Sequence, residues 1–354
     1  MAGFLRPSLN WLLVFVPISI VADLFVHQPV LIFWTTALAI VPLAGLIGES
    51  TEQLAIRLGP GVGGLLNASL GNLTELIVAV LLVQAGEFAV VKATLIGSIV
   101  GNLLFVLGVS FIAGGIRHKE QSFSRQSAGV HSASLFLAVA GLLIPALLFL
   151  TTPKADFAAK EGVSVGVALV LIALYLAALA FTRITHSHLF HVPENDEVAT
   201  WSMPVALAVL VVAALLVGLE SEFLVSSLDP TIKQLGIPAA FVGLIVIPII
   251  GNAAEHASAV LFALKDRVDV TLEIAVGSST QIAMFVAPAL VFISLALGRP
   301  MDFIFTGFEV AIVALATFIF TVISVDGRSN WLEGTQLTGL YIVVAVAAFF
   351  VVAT

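Results

Sequence analysis

Apolar residues run along this chain in stretches of about twenty, parted by short polar connections. A stretch of that length with few charges is long enough to cross a bilayer as a helix. The pattern predicts helices over 9–26, 30–48, 62–84, 90–114, 128–150, 162–182, 203–219, 237–264, 270–297, 303–324 and 335–354. The long eighth segment implies an interfacial or tilted part. The longest polar connection, Arg183 to Thr200, falls between the sixth and seventh segments. It reads as a linker between two five-helix halves, with the first helix as an extra.

Two polar interruptions stand inside these apolar segments: G-N-L-T-E at Gly71 to Glu75 and G-N-A-A-E at Gly251 to Glu255. An ionisable residue at membrane depth is costly and marks an ion path or proton relay. Gly weakens a helix interior, and Asn competes for its backbone hydrogen bonds. A helix broken at that depth frees carbonyls, which are tolerated where they line a cavity or bind something. Oxygen ligands and carboxylates together suit a hard cation.

The two motifs are 180 positions apart, and the same ungapped offset pairs Asn72 with Asn252, Gly97 with Gly277 and Ser98 with Ser278. Upstream, Val62-Gly63 pairs with Val242-Gly243. This is an internal duplication. Five helices separate the copies, an odd number, so the second copy crosses in the opposite direction. The expected fold is therefore an all-α integral membrane protein of about eleven transmembrane helices, one N-terminal helix plus two inverted five-helix repeats. Its parts are residues 1–29 (first helix and loop), 30–183 (first repeat), 184–200 (cytoplasmic linker) and 201–354 (second repeat). Inverted repeats with broken helices at the midplane are a recurring build of secondary transporters.

Composition agrees: 60% of residues are hydrophobic and 10% charged, and mean hydropathy is +1.15. The chain has no cysteine, which excludes disulfides and thiolate metal sites, and its net charge of −8 is unlike a nucleic-acid binder. The first apolar run lacks a convincing cleavage site and reads as a retained helix, not a signal peptide. With the N-terminus inside, Arg6, Arg57, Arg117, Lys119, Arg125, Arg183, Lys265, Arg267 and Arg328 lie on the inner side. The outer side then holds Lys92, Lys154, Lys160, Lys233 and Arg299. This excess favours a cytoplasmic N-terminus and an outside C-terminus.

Glu75 and Glu255 are the first candidates for cation ligands and proton carriers. Low dielectric favours a neutral carboxyl, whereas a divalent cation pairs with the ionised form, so proton and cation compete for the same oxygens. Asn72 and Asn252, three residues earlier, either offer a carbonyl oxygen or cap a half-helix. Ser98, Asn102, Ser278, Ser279 and Gln281 supply a polar wall facing the carboxylates, or hydrogen-bonding glue between helices. His256 reads as a proton relay or a packing residue. Glu49 and Glu52 close the second predicted helix, where they attract cations or are merely solvated; Glu52 is a further proton-transfer candidate. Pro248 kinks the eighth helix, whereas its repeat mate, Ala68, does not, so the two gates differ. Glu309 reads as packing or snorkelling. His186, His188 and His191, followed by Glu194, Asp196 and Glu197, read as a solvated linker, with cation or pH sensing as the alternative.

The stretches S-T-E-Q-L-A-I-R-L-G (50–59), L-L-N-A-S-L-G-N-L-T-E-L-I (65–77) and G-S-I-V-G-N-L-L (97–104) resemble the first repeat of a known family. G-N-A-A-E-H-A (251–257) and G-S-S-T-Q-I-A (277–283) are similar to its second. The family is the cation/proton exchanger branch of the calcium/cation antiporter superfamily. The resemblance implies an eleven-helix antiporter that exports cytosolic calcium in exchange for protons. Glu75 and Glu255 would be the central sites, and the second and seventh helices part of a sliding gating bundle. Sodium/calcium relatives carry Asp in the second repeat, so Glu255-His256 argues against sodium coupling. Some members carry an acidic inner helix after the sixth helix; the short His-containing linker here departs from that. The compact chain implies a prokaryotic cytoplasmic membrane over a vacuolar one.

The nearest rival is the same machine acting on manganese, sodium or potassium. A cation channel would need a continuous pore. An intramembrane hydrolase would need a nucleophile–base pair or a metal–His set, and neither stands at recognisable spacing. The chain thus reads as a transporter and not an enzyme, with no cofactor. Its partners are calcium, protons and the lipid bilayer, and a homo-oligomer is left open.

Overall fold

The computed structural model describes residues 9–152, 156–186 and 199–351. Arg6, Lys154, His188, His191, Glu194, Asp196 and Glu197 lie outside the described residues. The protein is almost entirely helical. Among the described residues, eight helices are long and apolar enough to cross a membrane: α1 (Leu9–Val26), α2 (Pro29–Gly59), α4 (Phe88–His118), α5 (Arg125–Thr151), α6 (Phe157–Ala180), α7 (Met203–Leu235), α9 (Val268–Ala296) and α11 (Trp331–Phe350). Between them stand two shorter apolar helices, α3 (Leu73–Ala85) and α10 (Gly307–Ile323). The remaining element, α8, is a bent pair whose halves, Ala239–Gly251 and Ala253–Leu264, meet at 63°.

Local chemistry sets the ends. Pro29 opens α2, where its missing N–H is not needed. Ser124 and Asp156 cap α5 and α6 by accepting from the amides of Ser127 and Ala159. Gly86 and Gly236 close α3 and α7 in the left-handed conformation. A large apolar core joins α2, α4, α5, α8, α9 and α10, with Phe33, Ile96, Leu103, Leu107, Phe303 and Phe320 fully buried in it.

Two boundaries differ from the sequence pattern. α2 does not end at 48: its turns continue through Glu49 and Glu52 to Gly59, and after that glycine (φ 78°) resume and run to Leu70. Glu49 and Glu52 therefore do not close the helix; both are exposed positions along it. Long polar side chains project outward without disturbing the helical ladder, so a hydropathy fall there marked no terminus. Likewise α7 continues from 219 to Leu235, carrying Glu220, Glu222 and Asp229 inside it.

The ends of α4 and α10 are joined by a feature that apolar periodicity does not predict. Glu120–Ser122 (β1) pairs antiparallel with Arg328–Asn330 (β2), with Gln121 opposite Ser329. Arg328 pairs with Glu120 at 2.9 Å, and the Phe123 amide donates to Gly327 O. At another connection Lys92 Nζ bonds both Asp302 Oδ1 (2.5 Å) and Ile304 O (3.0 Å), fixing the start of α4 to the segment before α10.

Candidate functional site

Both polar motifs break their helices, and they break them alike. Asn72 has φ −100° and ψ 28°, and Asn252 has φ −103° and ψ 8°. Each backbone carbonyl restarts the helix beyond it, accepting from Leu76 N (3.1 Å) and His256 N (2.9 Å). Neither side chain caps its helix. For Asn72 the capping alternative is overturned, its amide being engaged on another helix, whereas the Asn252 amide still closes the half-helix before the break through the Pro248 carbonyl.

The Asn72 amide reaches α9. Its Nδ2 donates to Gln281 Oε1 at 2.6 Å, and its Oδ1 accepts from Ser278 Oγ at 3.0 Å. The Asn252 amide reaches α4, donating to Ser98 Oγ at 3.5 Å and to the carbonyl of Pro248 at 3.0 Å. Each broken helix thus bonds the polar wall of the other half. Asn72, Asn252, Ser98 and Ser278 are all buried.

Glu75 and Glu255 stand in the first turn of the half-helices that follow the breaks. The positive end of a helix favours a carboxylate there. Glu75 is buried, and Glu255 is partly buried with its Oε2 enclosed and without a hydrogen-bond partner. The two carboxyls are close enough for their charges to repel. Ser278 neighbours the Glu255 carboxyl as well as Asn72. A Cβ on Gly251 would lie 3.9 Å from Glu75 Cγ, and one on Gly71 would lie 3.8 Å from Gln281 Oε1. The breaks therefore face each other's partners across one centre.

The remaining candidates divide. Asn102 is buried in a widened turn of α4 (101–106), with Nδ2 unpartnered. Ser279 is fully buried, but its hydroxyl donates to Ala275 O of its own helix and not into the centre. His256 is turned to an edge contact with Phe105, ring centroids 6.1 Å apart. Glu52 is exposed on α2. Widened turns also occur at 242–246, 273–277 and 282–286, and such turns recur at functional sites.

Two residues, and the role of a third, escaped the sequence pattern. Thr94, one turn before Ser98, places a third buried polar atom in register with Ser98 and Asn102. Its spacing of four was the available signal. Glu273 pairs with His131 of α5 at 2.8 Å, one turn before Gly277. It was visible as an ionisable residue inside an apolar segment. Glu309 is the acid of a capping box with Thr306. The T-x-x-E spacing announces that role.

Comparison with known proteins follows the same lines. The family described as sodium/calcium exchanger protein matches residues 28–183 and 205–350. A protein of Aphanothece halophytica named Ca(2+)/H(+) antiporter is 44% identical over 355 residues, covering 96% of this chain and 95% of its own. The Ca(2+)/H(+) antiporter ChaA of Bacillus subtilis is 38% identical over 340 residues, covering 94% and 96%. The solved structure of native YfkE superposes with a TM-score of 0.85 at 36% identity, covering 97% of this chain and 99% of that one. The chain is a multi-pass membrane protein of the sodium/calcium exchanger family, in its cation/proton exchanger branch, and so a secondary transporter and not an enzyme.

Proposed function

We propose that this protein is a calcium/proton antiporter that exports cytosolic Ca2+ by alternating access, with Glu75 and Glu255 shared between calcium and protons. The observation that carries this reading is the crossed pairing of the two motifs: Asn72 with Ser278, and Asn252 with Ser98. Two carboxyls stand at the point where the halves interlock. The relatives named as calcium/proton antiporters support the choice of ions.

Calcium takes about six to eight oxygens in flexible geometry. Two carboxylates with amide, hydroxyl and freed carbonyl oxygens form such a set, drawn from Glu75, Glu255, Asn72, Asn252, Ser98, Asn102, Ser278 and Gln281. Calcium from the cytosol displaces protons from Glu75 and Glu255. The loaded site opens outward, where a higher proton concentration protonates both carboxyls and releases the ion. Mutual repulsion makes the empty, ionised site costly to move across the membrane, which enforces exchange. His256 and Glu52 remain the secondary proton-transfer candidates.

The helices fit eleven crossings: the eight long ones, the bent α8, and the shorter α3 and α10. They group as residues 1–29, two inverted repeats over 30–183 and 201–354, and a linker over 184–200. The N-terminus is cytoplasmic and the C-terminus outside, in a cytoplasmic membrane.

The test is proton-gradient-driven uptake of radiolabelled calcium into inverted vesicles, comparing wild type with Glu75→Gln and Glu255→Gln. Uptake that collapses with a protonophore and is lost in both variants supports the reading. Robust uptake in either variant removes that carboxyl from the site. Proton flux driven by manganese, sodium or potassium but not calcium keeps the machine and replaces its substrate.

A further inference from the structure

Glu220 is fully buried inside α7, and so is Ser19 of α1. Neither belongs to the centre where the broken helices meet. Ser19 Oγ stands 2.8 Å from Glu220 Oε1 and 2.7 Å from the carbonyl oxygen of Val16. A serine hydroxyl has one proton to donate and lone pairs to accept. Were Glu220 ionised, both neighbours would be acceptors and one contact would lack a proton. Both are satisfied together when Glu220 Oε1–H donates to Ser19 Oγ and Ser19 donates to Val16 O.

The other carboxyl oxygen gives the same answer. Glu220 Oε2 is buried with no hydrogen-bond partner. That is tolerable for the carbonyl oxygen of an acid and costly for a carboxylate. Among the described residues no charged side chain acts on Glu220. The 180-residue offset pairs Glu220 with Ile40, a buried apolar residue of α2. Glu220 thus has no counterpart in the other half, and its partner helix α1 precedes the repeated region.

We propose that Glu220 is a third intramembrane carboxyl, that it keeps its proton throughout the transport cycle, and that it fastens α1 to α7 by donating to Ser19. It is a positioning residue, outside the exchanged proton count. The inference does not rest on which ion is carried.

The experiment compares wild type, Glu220→Gln and Glu220→Ala, reconstituted at neutral pH. Gln keeps a donor in place; Ala removes it. The infrared difference between wild type and E220Q should show a lost carboxylic-acid carbonyl band and no lost carboxylate band. Amide exchange over residues 9–26 should stay at the wild-type rate in E220Q. In E220A it should rise about tenfold, the scale of one lost buried hydrogen bond. The number of protons moved per ion should be the same in E220Q as in wild type. A lost carboxylate band would overturn the proposal, as would E220Q loosening 9–26 as much as E220A or failing to fold. A changed proton count in E220Q would overturn it equally.

Discussion

Ser278 on α9 donates a 3.0 Å hydrogen bond to Asn72 Oδ1 at the break before α3, and their repeat mates meet with the roles reversed, Asn252 Nδ2 donating to Ser98 Oγ at 3.5 Å. The first is a well-formed bond and the second stands at the limit of one. Removing the Ser278 hydroxyl leaves a buried amide oxygen with a lost partner, at a cost of about 1–3 kcal/mol. Ser278→Ala should therefore lower the melting temperature more than Ser98→Ala. In a double-mutant cycle Ser278→Ala and Asn72→Ala should couple by about 1 kcal/mol. Additive losses would mean that the two side chains do not support each other.

Glu309 is buried and shares its capping box with Thr306. Thr306 N and Oγ1 both donate to Glu309 Oε2, at 2.8 and 2.9 Å, while Glu309 N donates back to Thr306 Oγ1 at 3.2 Å. Thr306→Ala removes a cap, worth about 1 kcal/mol, and takes a donor from a buried carboxyl. The melting temperature should fall and Thr306→Ser should restore it, with calcium affinity unchanged in both. A loss of affinity without a loss of stability would move Glu309 from structure to transport.

How much of this was legible in the chain depends on what the pattern measures. The breaks at Asn72 and Asn252 were readable, because Gly-Asn before a carboxylate is a helix fault in any apolar run. The crossed pairing was half readable: the offset matched Asn72 with Asn252 and Ser98 with Ser278, but spacing along one chain does not say which helix faces which. Ser279 looked equal to Ser278 and is not, since a hydroxyl at membrane depth can return to its own backbone, as Ser279 does to Ala275. The ends of α2 and α7 were lost because acidic residues depress hydropathy without ending a helix. With α7 read as stopping at 219, Glu220 fell outside the membrane and its bond to Ser19 was invisible. The β1–β2 ribbon is a pairing of two loops distant in sequence, which no local period records.

Glu87 sits at the α3–α4 connection, outside the apolar segments. Partial burial raises its carboxyl above the usual range, the charge of Asp229 adds to this, and Lys233 opposes it. The folded protein thus binds this proton more tightly than the unfolded chain. Stability associated with it is present at low pH and declines as pH rises through the folded value. Glu87→Gln should raise the melting temperature at neutral pH, and the gain should vanish below about pH 4, where both states are protonated. A gain that stays constant across the series would show that packing, not charge, is responsible.

Gly97 and Gly277 are repeat mates that do not share a packing environment, and the difference makes alternating access testable. A Cβ on Gly97 would lie 2.3 Å from the carbonyl oxygen of Leu244, in the first half of α8. A Cβ on Gly277 would meet nothing nearer than Glu273 of its own helix, at 3.9 Å. The 180-residue offset pairs Leu244 with Gly64. If the two halves exchange conformations during transport, Gly277 must approach residue 64 in the other state as closely as Gly97 approaches Leu244 here. Gly97→Ala then strains the conformation described, by about 1–3 kcal/mol, and lowers the melting temperature. Gly277→Ala fits this conformation, so it should fold with near wild-type stability. It should nevertheless lose calcium uptake, because the added methyl blocks the second state while leaving the binding groups in place. Equilibrium calcium binding to the Gly277→Ala variant should persist on whichever side this conformation opens. Full uptake by Gly277→Ala would show that the second half never closes as the first does, and a symmetric exchange of conformations would then be wrong.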